Sequence, residues 1–296
     1  MNFSIIIPTY NRAHLICKTL SSVLNQVYKN FEVIIVDDGS TDNTMEVVQE
    51  FNIQNNLTNF HYYVKENAER AAARNYGAKL AKGDYVNFVD SDDILLPNHL
   101  SEALFAINQL SNPEVFHLNY AWATNDFKII KRVKVNELCA NSKLISGNIL
   151  SCNGVFIKRD VVYQHRFNEN RDLSASEDWD LWLRLAARFK IHMLPTLTSY
   201  TVNHEERSVN QYNEINIIKR RDCLVQSLSK DKIFNEKYPN GIRKISSQMN
   251  SYLALHASLN GIKIKTIRYF ILSIQEDITL LFTKRTFVIF KCLLFT

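Results

Sequence analysis

Acidic or polar side chains directly follow three apolar segments in the first hundred residues. If these segments are parallel strands of one sheet, their carboxyl ends meet at one edge, where open α/β sheets bind ligands. We therefore expect a shared site at that edge. Its candidate members are Thr9, Tyr10, Asn11, Arg12, Asp37, Asp38, Asp90, Ser91 and Asp92.

Asp90 and Asp92 have the spacing D-x-D at a predicted strand end. Two carboxylates at this spacing suit one hard divalent cation, and Mg²⁺ or Mn²⁺ held there keeps positions open for diphosphate oxygens. The common glycine-rich phosphate loops, GxGxxG and GxxxxGK[ST], do not occur in the chain. An Asp-rich turn after a strand is also commonly a solvated loop, so the spacing alone leaves both interpretations open.

The elements that must position these residues alternate between apolar runs and helical patterns, which is typical of βαβ units and a mainly parallel sheet. Asn11 is the predicted N-cap of the first helix. A later helix is predicted from Asp178 to Phe189, with its apolar residues on one stripe. The predicted strands are Phe3 to Pro8, Phe31 to Asp37, Phe60 to Val64 and Tyr85 to Val89, with further strands of open direction at Val115 to Tyr120 and Asn153 to Ile157.

The C-terminal part of the chain is predicted to be helical and is basic. From Asn240 onward it has eight Lys and Arg against two acids, a net charge of +6 in a protein whose total is +5. The cations stand among long aliphatic residues, which favours an anionic membrane surface over nucleic acid. One predicted helical face consists of Ile264, Ile267, Ile271, Ile274, Ile278 and Leu281.

The cellular location is predicted from what the sequence does not contain. No apolar stretch reaches the roughly 18 residues that a spanning helix needs. The first strand begins without a basic segment or cleavage site before it, so no signal peptide is expected. The five cysteines include no CxxC pair, which favours a reduced compartment and argues against a zinc cluster. We expect a cytoplasmic protein, peripheral on the inner face of the cell membrane.

Five motifs occur in order along the chain: TYNR, VDDGSTDNT, AAARNYGAKLAKGDY, FVDSDD and SEDWDLWLRL. Together they resemble the family 2 glycosyltransferases with the GT-A fold, over about residues 1 to 210. The resemblance implies a GT-A domain over 1–210, with a Rossmann-like mixed sheet flanked by helices, and a basic helical extension over 211–296. It also implies a metal-dependent, inverting transfer from a nucleotide-diphosphate sugar, by family frequency a UDP-sugar, in the synthesis of a cell-surface polysaccharide or glycolipid.

The resemblance assigns the donor and metal sites residue by residue. It implies that Thr9, Tyr10, Asn11 and Asp38 surround the base and ribose, with Arg12 and Ser91 beside them. Arg74 would contact that half of the donor or its phosphates, and Asp90 would face the ribose or the donor sugar. Asp92 would bind Mn²⁺ or Mg²⁺, and His204 would complete the metal site, although a lone histidine is more often structural.

Inversion at the anomeric carbon requires a carboxylate base on the face opposite the leaving diphosphate. Asp178 matches the ED motif of the family and is the predicted base, while the plain alternative is a helix cap. Glu177 and Asp180 could orient Asp178, bind the acceptor or lie in solvent. Arg70 could contact a phosphate or solvent, and Trp179 and Trp182 could stack on a sugar or lie in the core.

Two other functions are alternatives to sugar transfer. A nucleotidyltransferase would want a glycine-rich N-terminal loop, but no glycine occurs between Phe3 and Leu15. A catalytically inactive sugar-nucleotide-binding or scaffold protein of a membrane assembly would have a degenerate site, whereas Asp90, Asp92 and Asp178 are all present. The expected partners are therefore a nucleotide-diphosphate sugar, a glycan or lipid-linked glycan acceptor and an anionic membrane, and no nucleic acid.

Overall fold

The computed structural model describes residues 1–204 and 213–295. Within these ranges nine strands form one mixed sheet, which confirms the predicted α/β class. The strands are β1 (Phe3–Thr9), β2 (Phe31–Asp37), β3 (Phe60–Val64), β4 (Tyr85–Phe88), β5 (Ile94–Leu95), β6 (Val115–Ala123), β7 (Ile129–Arg132), β8 (Val155–Lys158) and β9 (Ile191–Val202).

Helices flank the sheet and continue beyond it. They are α1 (Ile16–Leu24), α2 (Thr44–Gln54), α3 (Glu69–Leu80), α4 (His99–Gln109), α5 (Asn141–Leu144), α6 (Arg159–Gln164) and α7 (Glu177–Arg188). The C-terminal helices are α8 (Glu214–Ser229), α9 (Lys232–Lys237), α10 (Gly241–Leu259), α11 (Lys263–Glu276) and α12 (Lys284–Phe295). None of the helices in the described ranges is both long enough and apolar enough to cross a bilayer.

The strand order is β3-β2-β1-β4-β8-β6-β9-β5, with β7 paired to β6. Strands β1 to β4 pair in parallel, so the ends of β1, β2 and β4 share one edge of the sheet. Strand β8 runs antiparallel to both β4 and β6, and this reversal makes the sheet mixed. In the β1–β2 register Thr9 lies opposite Asp37, which brings the two predicted site loops side by side.

The central strand β1 is buried on both faces, and its side chains alternate between two cores. Ile5 and Ile7 pack in the core beneath α1 and α4. Ile6 points to the other face and packs in the core that includes α3 and α7. The apolar residues of the predicted strands thus separate two helical layers, and the loops at the strand ends are left to form the site.

The first helix begins later than predicted. Asn11 is not its N-cap, because α1 starts at Ile16 and Asn11 has a positive φ of 51°. Its side chain instead accepts a hydrogen bond from the loop after β2. The predicted inner face of this helix was correct for Ile16, Leu20 and Val23, whereas Val27 lies beyond the helix and is exposed.

Helices α8, α9 and α10 share the core of the sheet domain and do not form a layer separate from it. Leu224 of α8, Phe234 of α9 and Leu253 of α10 belong to the same core cluster as Trp182 of α7. The predicted domain boundary at residue 210 lies outside the described residues. Of the predicted apolar face, Ile264, Ile267 and Ile271 of α11 are exposed, whereas Ile274 packs against the core. The buried side of α11 is formed by Thr266, Tyr269, Phe270 and Ser273.

Candidate active site

A cavity of about 690 Å³ lies at the carboxyl edge of β1, β2 and β4, within the usual size range of small-molecule sites. Its other walls come from α3, the loop before β8 and the start of α7. It brings together the predicted residues Thr9, Tyr10, Asn11, Arg12, Asp38, Arg74, Asp90, Ser91, Asp92 and Asp178. His204 does not line the cavity but contacts Asp92, which does.

The loops after β1 and β2 are held together by Asn11. Its backbone N–H donates to Oγ of Ser40 over 2.9 Å, and its Oδ1 accepts from the backbone N–H of Thr41 over 2.8 Å. Asparagine tolerates a left-handed backbone because its short amide can bond to nearby main-chain groups. Asn11 therefore shapes the predicted nucleotide pocket through its backbone turn and its amide oxygen.

The floor of this pocket contains Asp38, which is 3% exposed. Its Oδ1 accepts from Nζ of Lys65 over 2.6 Å and from the backbone N–H of Ala68 over 3.0 Å. The hydroxyl of Thr9 is buried and has no hydrogen-bond partner among the described residues. A buried polar group without a partner is uncommon in folded proteins, so Thr9 offers an unused hydrogen bond to a ligand.

Arg74 connects two walls of the cavity. It is 1% exposed, and its guanidinium donates to Glu177 over 2.8 Å and to Asp90 over 2.7 Å. The guanidinium also lies 5.2 Å from the ring centre of Phe167. Arg74 thereby fixes the start of α7 against the end of β4. Its predicted contact with the donor stays a prediction, because both terminal nitrogens bond to protein carboxylates.

Glu177 is ionised in this arrangement. Burial acts to raise its pKa, but the charges of Arg70 and Arg74 outweigh burial and hold the pKa below its usual value. The Nε atom of Arg70 lies 3.8 Å from Glu177, and Arg70 lines the cavity. Glu177, the first carboxylate of the ED pair, therefore holds Arg70 and Arg74 close to Asp178, the second.

Asp178 follows Glu177 and faces the cavity. Its Oδ2 accepts from the amide of Asn148 over 2.8 Å, and its Oδ1 accepts from the backbone N–H of Trp179 over 2.7 Å. Burial and the nearby charge of Glu177 raise the pKa of Asp178 to about 6, against the lowering effects of Arg74 and these two hydrogen bonds. A carboxylate with a pKa in this range can accept a proton at neutral pH.

Three carboxylates at the end of β4 could hold a cation. One oxygen from each of Asp90, Asp92 and Asp93 lies within 4.8 Å of the others. Oδ2 of Asp92 also lies 2.9 Å from Nε2 of His204. Oxygen and imidazole ligands suit Mn²⁺, and oxygen ligands suit Mg²⁺, so the predicted pair of Asp92 and His204 fits a divalent cation.

Asp93 differs from its two neighbours in what its carboxylate does. It is 1% exposed, and it accepts from the backbone N–H of Val202 over 2.9 Å and from the amide of Asn153 over 2.6 Å. Asp93 therefore joins β9 and the segment before β8 to the end of β4. These bonds hold Asp93 in the wall of the cavity next to Asp92.

Of the predicted aromatic residues, Tyr10 lines the cavity, whereas the two tryptophans of α7 do not. Trp179 donates to the carbonyl of Leu144 and is 5% exposed, and Trp182 lies in the core, so the core alternative is correct for both. Tyr120 and Trp122 of β6 line the cavity instead. They are two residues apart in a strand and so point to the same side, a spacing that is visible in the sequence.

Two further residues near Asp178 have different roles: Asp180 had open alternatives, and Asn148 was not indicated by the sequence. Asp180 is fully buried and bonds to Arg184 one helical turn later, so it stabilises α7. Asn148 lines the cavity and bonds to Asp178 across thirty positions of sequence. It stands in no motif, and only the fold brings it to the candidate base.

Residues 4–165 match the sequence profile of the family described as Glycosyl transferase family 2. The UDP-Glc:alpha-D-GlcNAc-diphosphoundecaprenol beta-1,3-glucosyltransferase WfgD of Escherichia coli is 31% identical over 215 residues, which cover 72% of this chain and 81% of WfgD. Three glycosyltransferases of Rickettsia species are 28% to 31% identical, but the match spans only 26% to 36% of their length.

Two solved structures show the same fold. TarS 1–349 of S. aureus, in complex with UDP-GlcNAc, has a TM-score of 0.64 at 21% identity, over 91% of this chain and 89% of that chain. The mannosyltransferase PcManGT of Pyrobaculum calidifontis, in complex with GDP-Man and Mn²⁺, has a TM-score of 0.55 at 20% identity, over 94% and 87%. The fold is therefore the GT-A fold that the motifs predicted. Because the family profile covers more than half of the sequence, the chain belongs to glycosyl transferase family 2.

Proposed function

We propose that this protein is an inverting glycosyltransferase that moves a sugar from a nucleotide-diphosphate sugar to an acceptor hydroxyl. The observation that carries the proposal is the position of Asp178. It lies in the same cavity as Asp90 and Asp92, and its pKa is raised to about 6. One cavity thus holds a carboxylate able to take a proton and, separately, carboxylates suited to a cation.

In the proposed step, the carboxylate of Asp178 accepts the proton of the acceptor hydroxyl. The acceptor oxygen forms a bond to the anomeric carbon from the face opposite the diphosphate. The bond between that carbon and the diphosphate oxygen breaks, and the leaving nucleoside diphosphate keeps the electron pair. Asn148 holds the Asp178 carboxylate in place, while Arg74 and Glu177 fix the start of its helix.

Asp92 and His204 would hold Mn²⁺ or Mg²⁺, with Asp90 close by. A divalent cation in such a site supplies Lewis-acid neutralisation of the charge that develops on a departing diphosphate. The composition of the PcManGT complex, which contains Mn²⁺, supports the proposal. Mn²⁺ suits the imidazole of His204 better than Mg²⁺ does.

We propose a UDP-sugar as the donor, with a hexose or an N-acetylhexosamine as the transferred sugar. WfgD is named for UDP-Glc, and TarS was solved with UDP-GlcNAc. Thr9, Tyr10, Asn11, Arg12, Asp38 and Ser91 would surround the nucleoside, and the unused hydroxyl of Thr9 is a hydrogen-bonding group for it. Tyr120 and Trp122 offer aromatic surfaces for a sugar ring.

The proposed acceptor is a glycan or a lipid-linked glycan in the synthesis of a cell-surface polysaccharide or glycolipid. The name of WfgD gives such a lipid-linked acceptor for that relative. The protein would act peripherally at the cytoplasmic face of the membrane. Residues 1–210 would form the transferase domain and residues 211–296 the helical extension, although α8 to α10 share its core.

The test is the release of nucleoside diphosphate from UDP-, GDP- and dTDP-sugars with Mn²⁺ or Mg²⁺. Wild type is compared with Asp92→Ala, Asp178→Asn and the matched control Asp126→Asn, whose carboxylate is exposed between β6 and β7. We expect metal-dependent turnover of one donor that both site variants lose and the control keeps. Nucleotide binding without turnover, even with membrane extract as the acceptor source, would instead favour an inactive binding or scaffold protein.

A further inference from the structure

The outward side of α11 is apolar. Ile264, Ile267 and Ile271 recur at helical spacing and are 84%, 49% and 45% exposed. The opposite side of the helix packs against α10, where the hydroxyl of Ser247 donates to the carbonyl of Ser273 over 2.7 Å. A helix of a globular protein usually buries its isoleucines and exposes its serines. In α11 three isoleucines are exposed while Thr266 and Ser273 are buried beside Tyr269 and Phe270.

The same feature continues into α12. Phe282 before the helix is 90% exposed, and Phe287 and Leu294 within it are 72% and 75% exposed. The rings of Phe270 and Phe290 lie 5.2 Å apart, so α11 and α12 are neighbours. We call the exposed apolar set the α11–α12 surface; it consists of Ile264, Ile267, Ile271, Phe282, Phe287 and Leu294.

Cations accompany these apolar residues. At 100° per residue, Arg268 falls on the outward side of α11, and Lys284 and Lys291 fall on the outward side of α12. Residues 263–291 contain six Lys and Arg and two acids. Of the two acids, Glu276 accepts hydrogen bonds from Ser246 and Asn250, and Asp277 accepts from Thr279. The exposed face is thus apolar with a positive charge at its side.

We propose that the α11–α12 surface docks on an anionic lipid bilayer, with both helices lying in the plane of the interface. Apolar side chains of such helices enter the boundary between headgroups and acyl chains, while Lys and Arg remain among the anionic headgroups. A second copy of the chain fits less well. A symmetric dimer buries the same surface of both copies, so it would gather Arg268, Lys284 and Lys291 of each copy into one positively charged interface.

This inference rests on the proposed function, because docking would serve the transfer only if the acceptor is held in the membrane. Helix α8 packs against both α10 and α7, and α7 carries Asp178. Arg285 of α12 donates to the carbonyl of Gln248 in α10 over 3.1 Å. The docking helices are therefore joined through one packed layer to the cavity, which would be held at the membrane where a lipid-linked acceptor is presented.

The experiment is co-sedimentation of the full chain with phosphatidylcholine vesicles, with and without phosphatidylglycerol. Ile264→Gln/Ile271→Gln and Lys284→Gln/Lys291→Gln test the apolar and cationic parts. Ile53→Gln is the matched control, since Ile53 on α2 is 78% exposed. Glutamine keeps the helix propensity of these exposed positions. We expect salt-sensitive binding to the anionic vesicles only, weakened at least about tenfold by the isoleucine pair and unchanged in the control.

Three results would overturn the proposal: no binding of wild type to anionic vesicles, equal binding to pure phosphatidylcholine, or equal loss in Ile53→Gln. Self-association of wild type in sedimentation velocity, lost in the isoleucine pair without any vesicle binding, would assign the surface to a second copy. Donor hydrolysis is measured on the same variants without vesicles. It should be unchanged, because these residues lie outside the cavity, so failure of docking is distinguishable from failure of the proposed transfer.

Discussion

The amide of Asn148 donates a hydrogen bond of 2.8 Å to Oδ2 of Asp178. This contact joins the segment after α5 to the first turn of α7. Burial raises the pKa of the Asp178 carboxyl, and the hydrogen bond from Asn148 acts to lower it. Asn148 therefore has two effects on the candidate base: it sets the orientation of the carboxylate and it favours the ionised form.

Asn148→Ala should lower kcat by about tenfold or more, since a hydrogen bond to a charged group contributes about 1.5–3 kcal/mol. The variant should also raise the pKa of Asp178, which moves the acid limb of the pH–rate profile upward. Steady-state rates across pH measure both effects. Ser146→Ala, an exposed change in the same loop, is the control. A variant with the rate and profile of wild type would exclude Asn148 from positioning the base.

The pH dependence of wild type follows from the raised pKa of Asp178, which is about 6. The base acts when ionised, so its function is present above this pKa and is lost as the pH falls through it. We expect kcat/KM to fall about tenfold per pH unit on the acid side. Asp178→Asn should lower kcat by about 10²–10⁴ and remove this limb. A rate independent of pH down to the carboxylate range would contradict the assignment.

Asp92→Ala should weaken the binding of Mn²⁺ together with UDP by at least about tenfold, because one charged ligand of the hard cation is removed. His204→Ala should weaken it less, since imidazole carries no charge to match the cation. Isothermal titration calorimetry with and without Mn²⁺ measures the difference. Asp126→Ala is the control, since it also removes one carboxylate. If it weakened the binding of Mn²⁺ and UDP as much as Asp92→Ala does, Asp92 would not be a metal ligand.

Asp93→Ala should destabilise the fold. The substitution removes the buried carboxylate that accepts from the N–H of Val202 and from the amide of Asn153. A hydrogen bond to a charged group contributes about 1.5–3 kcal/mol to the free energy of unfolding. Urea denaturation should show a larger loss for Asp93→Ala than for Asp92→Ala, whose side chain is at the cavity surface. The opposite order would contradict the structural role of Asp93.

The sequence predicted the first four strands almost to the residue, because buried parallel strands form continuous apolar runs between polar loops. It also predicted which strand ends meet, because the carboxyl ends of parallel strands share one edge. The motifs contain half of the residues that line the cavity. These features depend on local pattern and on the order of elements, both of which are visible in one chain.

The features that were missed depend on distant contacts. Asn11 has the residue type of an N-cap, but its oxygen bonds to a loop thirty positions away. Ile264, Ile267 and Ile271 do form one face, yet α10 presents small residues such as Ser247 and Ala254 to its neighbours. The inner side of α11 contains Thr266 and Ser273 beside the rings of Tyr269 and Phe270. Helical periodicity identifies a face but does not say which side of it meets the core.

The buried bridge of Arg74 has a consequence for local unfolding. If α7 opened by itself, Arg74, which is 1% exposed in the closed fold, would lose Glu177 and keep Asp90 as its carboxylate partner. Removing one partner of a buried ion pair costs about 3–5 kcal/mol, so this partial opening is disfavoured. The amides at the end of β4 and at the start of α7 should then exchange with solvent as one cooperative unit, and a nucleotide held at either end should slow the exchange at both.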